Sequence, residues 1–206
     1  YSKLIKAADL AIKIHTKRLI DDIALYKTLP EDGCAELRMA LHLRMAVLFS
    51  LLETTTIEKA MFRTSHPFAK RYHYKNLIAN TSECYKLLYH FDNARKKSIW
   101  TKTSKLVQQI NNPRILTQYN TTTNQLNDFG NNKIDKTLRD VTMHYSESML
   151  TVYELTTNLN SEEDAVNYYL EFSGILLDML RIANQLVDFY TQQDTSGTSA
   201  LPISTN

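Results

Sequence analysis

Apolar residues recur every three or four positions through most of this chain, in long runs broken at a few well-marked places. The first run extends from Ser2 to Leu29, with Leu4, Ala7, Ala8, Ala11, Ile12, Ile14, Leu19 and Ile23 near helical spacing, and Pro30 ends it. Leu37, Leu41, Met45, Leu48, Leu52 and Met61 predict a second helix, with Asp32 placed to cap its start and His66-Pro67 to close it. A third helix is expected from Phe68 to Phe91. A shorter fourth is expected from Ser98 to Ile110, ahead of the breaker Asn111-Asn112-Pro113. From Arg114 to Asn132 the chain turns rich in Asn, Thr and Gln, which reads as a long polar loop ending near Gly130. Lys133 to Leu155 then repeats Ile134, Leu138, Val141, Tyr145, Met149 and Val152, predicting a fifth helix. Ser161-Glu162-Glu163-Asp164 resembles a capping box, and the run from Ala165 to Tyr190 carries an apolar stripe wide enough for a core helix. The expected architecture is all-α: a single bundle of five or six long helices in one domain, residues 1–193. A polar tail at 194–206 is expected to be disordered.

Composition narrows the field from the other side. Gly and Pro together occupy 8 of 206 positions, about 4% against an ordinary usage of about 12%. Sandwiches, barrels and propellers need such residues at every corner, and phosphate cradles need several Gly close together, so β folds, Rossmann enzymes and P-loop nucleotidases are excluded. The hydrophobic fraction of 43% is enough for a buried core, and no apolar run approaches the length of a membrane span. Cys34 and Cys84 show neither a disulfide-scaffold pattern nor metal-ligand spacing, and the six His form no ligand pattern with the carboxylates. A reducing, cytoplasmic setting is therefore expected, with no metal and no cofactor.

Charge changes the picture once it is divided along the chain. The net charge is only +2. Residues 1–105 nevertheless hold 19 basic against 10 acidic residues, a balance of +9, and residues 106–206 hold 5 against 12, a balance of −7. The whole excess can be placed in residues 59–105, with 11 basic residues against Glu83 and Asp92. Such asymmetry suits a polyanion partner or a self-complementary dimer; its plainer reading is a set of solvated helix faces. Within the basic stretch, Lys70-Arg71-Tyr72-His73-Tyr74-Lys75 and Arg95-Lys96-Lys97 mix cations with aromatic rings. Single-stranded nucleic acid binds such surfaces by phosphate neutralisation and base stacking. Lys70, Arg71, Lys75, Arg95, Lys96 and Lys97 are the candidate nucleic-acid contacts.

One passage carries a more specific signal. Leu138-Arg139-Asp140-Val141-Thr142-Met143-His144-Tyr145, near the front of the fifth run, resembles the Arg-x4-6-His signature of HEPN domains. The Asp directly after the Arg also suits that family, as does the order of elements: two long helices first, the motif opening the penultimate helix, then a last long helix. The resemblance implies an all-helical dimer whose Arg–His pairs meet at a shared interface. It further implies metal-independent endoribonuclease activity of a toxin or defence effector, leaving a 2′,3′-cyclic phosphate. His144 would handle the ribose 2′-OH proton and Arg139 the phosphate charge. Asp140 and His144 are four residues apart, about 40° on a helix, and can touch; Arg139 and His144 are about 140° apart and converge only if Arg139 lies in the first turn. The family branch controlled by a nucleotidyltransferase antitoxin carries a Tyr two residues after the His. Ser146 stands there instead, so an antitoxin or other partner protein is not specified. The competing expectation is a non-catalytic HEPN-like dimer that serves as a protein- or nucleic-acid-binding module, with Arg139 and His144 only pairing with nearby carboxylates.

Overall fold

The computed structural model describes residues 2–30, 33–90, 92–134 and 162–197. Among these residues it is a bundle of six α-helices with no strand: α1 Ser2–Thr28, α2 Ala35–Arg63, α3 Pro67–Leu88, α4 Ile99–Ile110, α5 Pro113–Asn132 and α6 Glu162–Gly197, with a 3-10 turn at Asp92–Lys97 between α3 and α4. The all-α expectation holds. Of the helix expected over 133–155 only Lys133 and Ile134 are described, following the end of α5; the rest lies outside the described residues, as do Arg139, Asp140 and His144. At the far end, α6 continues to Gly197, past the point where the polar tail was expected to begin.

Helix α2 is the axis of the bundle. It is buried on almost every side, including Leu37, Leu41, Leu43, Val47, Leu48 and Leu51, because α1, α3, α4 and α6 all pack against it. Its start differs from the sequence expectation: Cys34, not Asp32, occupies the N-cap position and makes no side-chain cap. Helix α1 returns antiparallel along α2. Asp9 pairs with Lys59 and Arg63 near one end, and Arg38 donates to the Leu29 carbonyl (2.9 Å) and lies over the Tyr26 ring at the other. Between them Arg44 Nε donates to Asp22 Oδ2 at 2.8 Å, with both side chains buried. That pair locks the register of the two helices, since a buried charge finds no other partner there.

The main correction concerns residues 113–132. The polar loop expected there is helix α5. Asn112 accepts from the backbone N–H groups of Arg114 (3.0 Å) and Ile115 (3.4 Å), and Pro113 fills the first helical position, where no N–H is needed. Ile115, Tyr119, Thr122, Leu126 and Phe129 are buried at alternating spacings of four and three, so one face is largely apolar while most of the other positions are Asn, Thr or Gln. Trp100 of α4 stacks on Tyr119 at 4.6 Å and donates to Thr123 at 2.9 Å, while Phe129 stacks on Phe172 of α6 at 5.2 Å. Gly130 therefore does not mark the end of a loop. It lies inside α5, under the Tyr85 hydroxyl, which donates to the Leu126 carbonyl at 3.1 Å. A Cβ at position 130 would overlap that hydroxyl.

Candidate functional site

The six basic residues singled out in the sequence do not form one patch. Lys70, Arg71 and Lys75 are on the first turns of α3, with Lys70 and Lys75 half-buried and Arg71 exposed. Arg95, Lys96 and Lys97 close the 3-10 turn beyond the far end of α3, so about 20 Å of helix separates Lys75 from that turn. Within the second group Arg95 has a structural task. It donates to Asn127 (3.0 Å) and Asn131 (3.5 Å) of α5 and lies over the Tyr89 ring, whose hydroxyl also donates to Asn127 (2.9 Å). Lys96 and Lys97 are exposed.

The structure adds cations that the sequence pattern did not point to. An open groove of about 840 Å³ runs between the start of α5 and the middle of α6, lined by Arg114, Thr117, Gln118, Arg181, Asn184 and Gln185. Arg181 also pairs with Asp178 at 2.5 Å, one turn away on α6. Two guanidinium groups among amides and a hydroxyl offer donors to phosphate and to base edges. Arg114 and Arg181 are 67 positions apart in the chain, and no spacing rule joins them.

A second feature lies inside the bundle. The inward line of α2 turns from apolar to polar along its second half, through Ser50, Thr54, Thr55 and Glu58, all buried. Ser50 and Thr54 satisfy their hydroxyls locally, donating to the carbonyls of Ala46 (3.0 Å) and Ser50 (2.8 Å). Glu58 cannot do so. Its carboxyl faces Tyr169 of α6, and Tyr169 in turn hydrogen-bonds Thr55 at 3.3 Å. Burial raises the Glu58 carboxyl to a pKa of about 7, only partly offset by the Tyr169 hydroxyl. Ser173 of α6 also lies within reach of the Tyr169 hydroxyl, while the neighbouring Tyr168 faces Thr81 of α3. Burial also pushes the Tyr168 and Tyr169 phenols up, so both stay protonated donors. A carboxyl that exchanges its proton near neutrality among such donors is able to hold or pass on a proton. The chain leaves the described core at buried Ile134 and returns at Glu162, about 10 Å of helix before Tyr169. The only sequence signal for the polar layer was a row of small polar residues and one Glu at i, i+4 and i+8 on an otherwise apolar helix.

The remaining candidates are quickly placed. Cys84 is buried and unpaired, its thiol pushed up to about 12 by burial, and Cys34 is half-buried at the start of α2. His42 is exposed, and Arg38 is engaged with α1 rather than with it. Among the described residues no three His, Cys, Asp or Glu side chains are grouped as a metal site requires, and no helix is long and apolar enough to cross a membrane. Comparison of the chain with protein-family models, with curated proteins and with solved structures finds no match.

Proposed function

We propose that this protein is a HEPN-like helical dimer with an RNA-directed role, acting as a metal-independent endoribonuclease. The observation that carries the reading is the position of the motif in an all-helical chain. Arg139, Asp140 and His144 fall in the segment between α5 and α6, ahead of the longest described helix, the order that the HEPN resemblance implies. In this reading His144 withdraws the 2′-OH proton, Asp140 one turn away orients the imidazole, and Arg139 binds the phosphate on which charge develops. The motif lies in the acidic half of the sequence, so RNA must be held by cations outside the motif. Lys96 and Lys97 from the basic half and Arg114 and Arg181 of the groove are exposed and available for it.

The test is cleavage of a mixed RNA substrate in EDTA, comparing the parent chain with His144→Ala and Arg139→Ala. The expected result is cleavage by the parent to 2′,3′-cyclic phosphate ends and a loss of at least about a hundredfold in either variant. Cleavage that persists unchanged in both variants removes the catalytic assignment. The second reading is a non-catalytic binding module. It is favoured by the exposed cations themselves, which need no chemistry to bind nucleic acid; RNA retained by the parent without cleavage would select it.

A further inference from the structure

Between Asp92 and Asp128 the sequence places six Lys and Arg residues and no acidic residue. The 3-10 turn and α4 bring four of these cations to the surface. Lys96 and Lys97 close the turn, and Lys102 and Lys105 lie on the outer side of α4, all four exposed. Trp100, Thr103, Leu106 and Val107 are buried and fix the inner side of α4, which leaves the lysines outward. Lys102 and Lys105 are three residues apart and neighbours on the helix surface, with about 5–6 Å between their Cβ atoms. The Lys102 N–H donates to the Ser98 carbonyl at 3.1 Å, which puts the Cα of Lys97 within about 10 Å of that of Lys102. Gln108 and Gln109, exposed one turn further on, continue the row with amides.

None of the four lysines has an ion-pair partner among the described residues, whereas Lys59 and Lys133 elsewhere in the bundle pair with Asp9 and Glu171. Their placement also opposes the helix. α4 has no acidic residue in its first turn and no basic residue in its last, so its cations gather toward the end where the backbone dipole is itself positive. A charge pattern that served stability would be the reverse. A polyanion supplies the missing negative charge. We infer that the 96–97 turn and the outer face of α4 form a track for the phosphate backbone of single-stranded RNA. The inference rests on the RNA-directed reading and names the surface that holds the strand. The chemistry of the face selects this occupant. The side chains exposed on α4 are two Lys and two Gln, with no apolar group to enter a bilayer. No aromatic ring stands among them, so the contacts are to phosphate and carry no sequence information. The row is one side chain wide, which suits one strand rather than the two of a duplex.

The experiment is fluorescence anisotropy of the full chain with a labelled 2′-O-methyl oligouridylate, which has no free 2′-OH to be deprotonated, across a series of salt concentrations. The variants are Lys102→Gln/Lys105→Gln, Lys102→Arg/Lys105→Arg and, for comparison, Lys13→Gln/Lys17→Gln at exposed positions of α1. The parent is expected to bind with an affinity that falls steeply with salt. The Gln pair on α4 should weaken binding about tenfold. It should also lower the slope of log affinity against log salt by about 1.4, since each phosphate contact on a single strand contributes about 0.7. The Arg pair should keep both quantities, and the α1 pair should change the affinity by less than about twofold. Because the α4 lysines oppose the helix dipole, the Gln pair should unfold at a urea concentration equal to or above the parent's. A parent that does not bind the strand overturns the inference. So does an α4 Gln pair that binds no more weakly than the α1 pair, an Arg pair as weak as the Gln pair, or a Gln pair less stable than the parent. The nuclease reading is decided separately. Binding by the parent without cleavage of ordinary RNA removes the nuclease and keeps the track, whereas cleavage that depends on His144 with unchanged binding by the Gln pair removes the track and keeps the nuclease.

Discussion

Glu58 makes the stability of this bundle fall as the solution becomes less acidic, and replacing it by Gln should remove that fall. In the unfolded chain the carboxyl titrates near its ordinary value of 4.5, whereas in the folded chain burial holds it near 7. Between those values the folded chain keeps a proton that the unfolded chain has released. Stability therefore declines as pH rises from about 4.5 to about 7 and is level beyond it. Each tenfold change in proton affinity is worth about 1.4 kcal/mol, which sets an upper bound of about 3.5 kcal/mol for the whole interval and about 1–2 kcal/mol after screening through the residual exposure. Gln keeps the shape and the contact with Tyr169 but has nothing to ionise. Urea unfolding of the parent and of Glu58→Gln, at pH 4.5 and at pH 8, gives the quantity directly. The variant should match the parent at the acid end and exceed it by about 1–2 kcal/mol at the alkaline end. Taking the difference between the chains cancels groups such as Asp9, whose carboxyl the Lys59 ammonium holds below its ordinary value and which acts in the opposite direction. A difference that is constant with pH, or that favours the parent as pH rises, would falsify the reasoning.

Two further outcomes follow from the packing. Asp22→Ala leaves the Arg44 guanidinium buried without its carboxylate and should cost about 3–5 kcal/mol in urea unfolding, while Asp22→Leu combined with Arg44→Met should recover most of that loss. If the single and double variants are equally unstable, the pair is not what aligns α1 on α2. Gly130→Ala drives a methyl group into the Tyr85 hydroxyl and should destabilise the chain by about 1–3 kcal/mol. Placed in a Tyr85→Phe background the same substitution should cost much less, and an unchanged cost would place the strain elsewhere.

Much of the helical framework is legible in the sequence because helix starts, stops and periods are local. Pro30 ends α1, Pro67 opens α3, and Ser98 caps α4 by accepting from the Thr101 N–H at 3.0 Å. Helix α5 escaped that reading for a physical reason. Its buried stripe uses Tyr119 and Thr122 beside Ile115, Leu126 and Phe129, and its exposed face is built largely from Asn and Thr, residues of weak helix propensity that usually mark loops. Packing against α4 and α6 outweighs that propensity. The basic stretch was legible as composition but not as a surface, since α3 holds its two groups apart and Arg95 is spent on α5. For the Arg139–His144 motif, sequence order is the whole of the argument.

The chain by itself determined that this protein is helical, where most of its helices begin and end, and which faces are apolar, because those properties depend on neighbours three or four residues away. Only the tertiary structure decided which polar groups go inside. Asp22 meets Arg44 across 22 positions, Tyr85 reaches the Leu126 carbonyl across 41, and Thr55 meets Tyr169 across 114. The burial that raises the Glu58 carboxyl is created by helices from distant parts of the chain. Desolvation and charge pairing act through space, so no local pattern could have fixed either one.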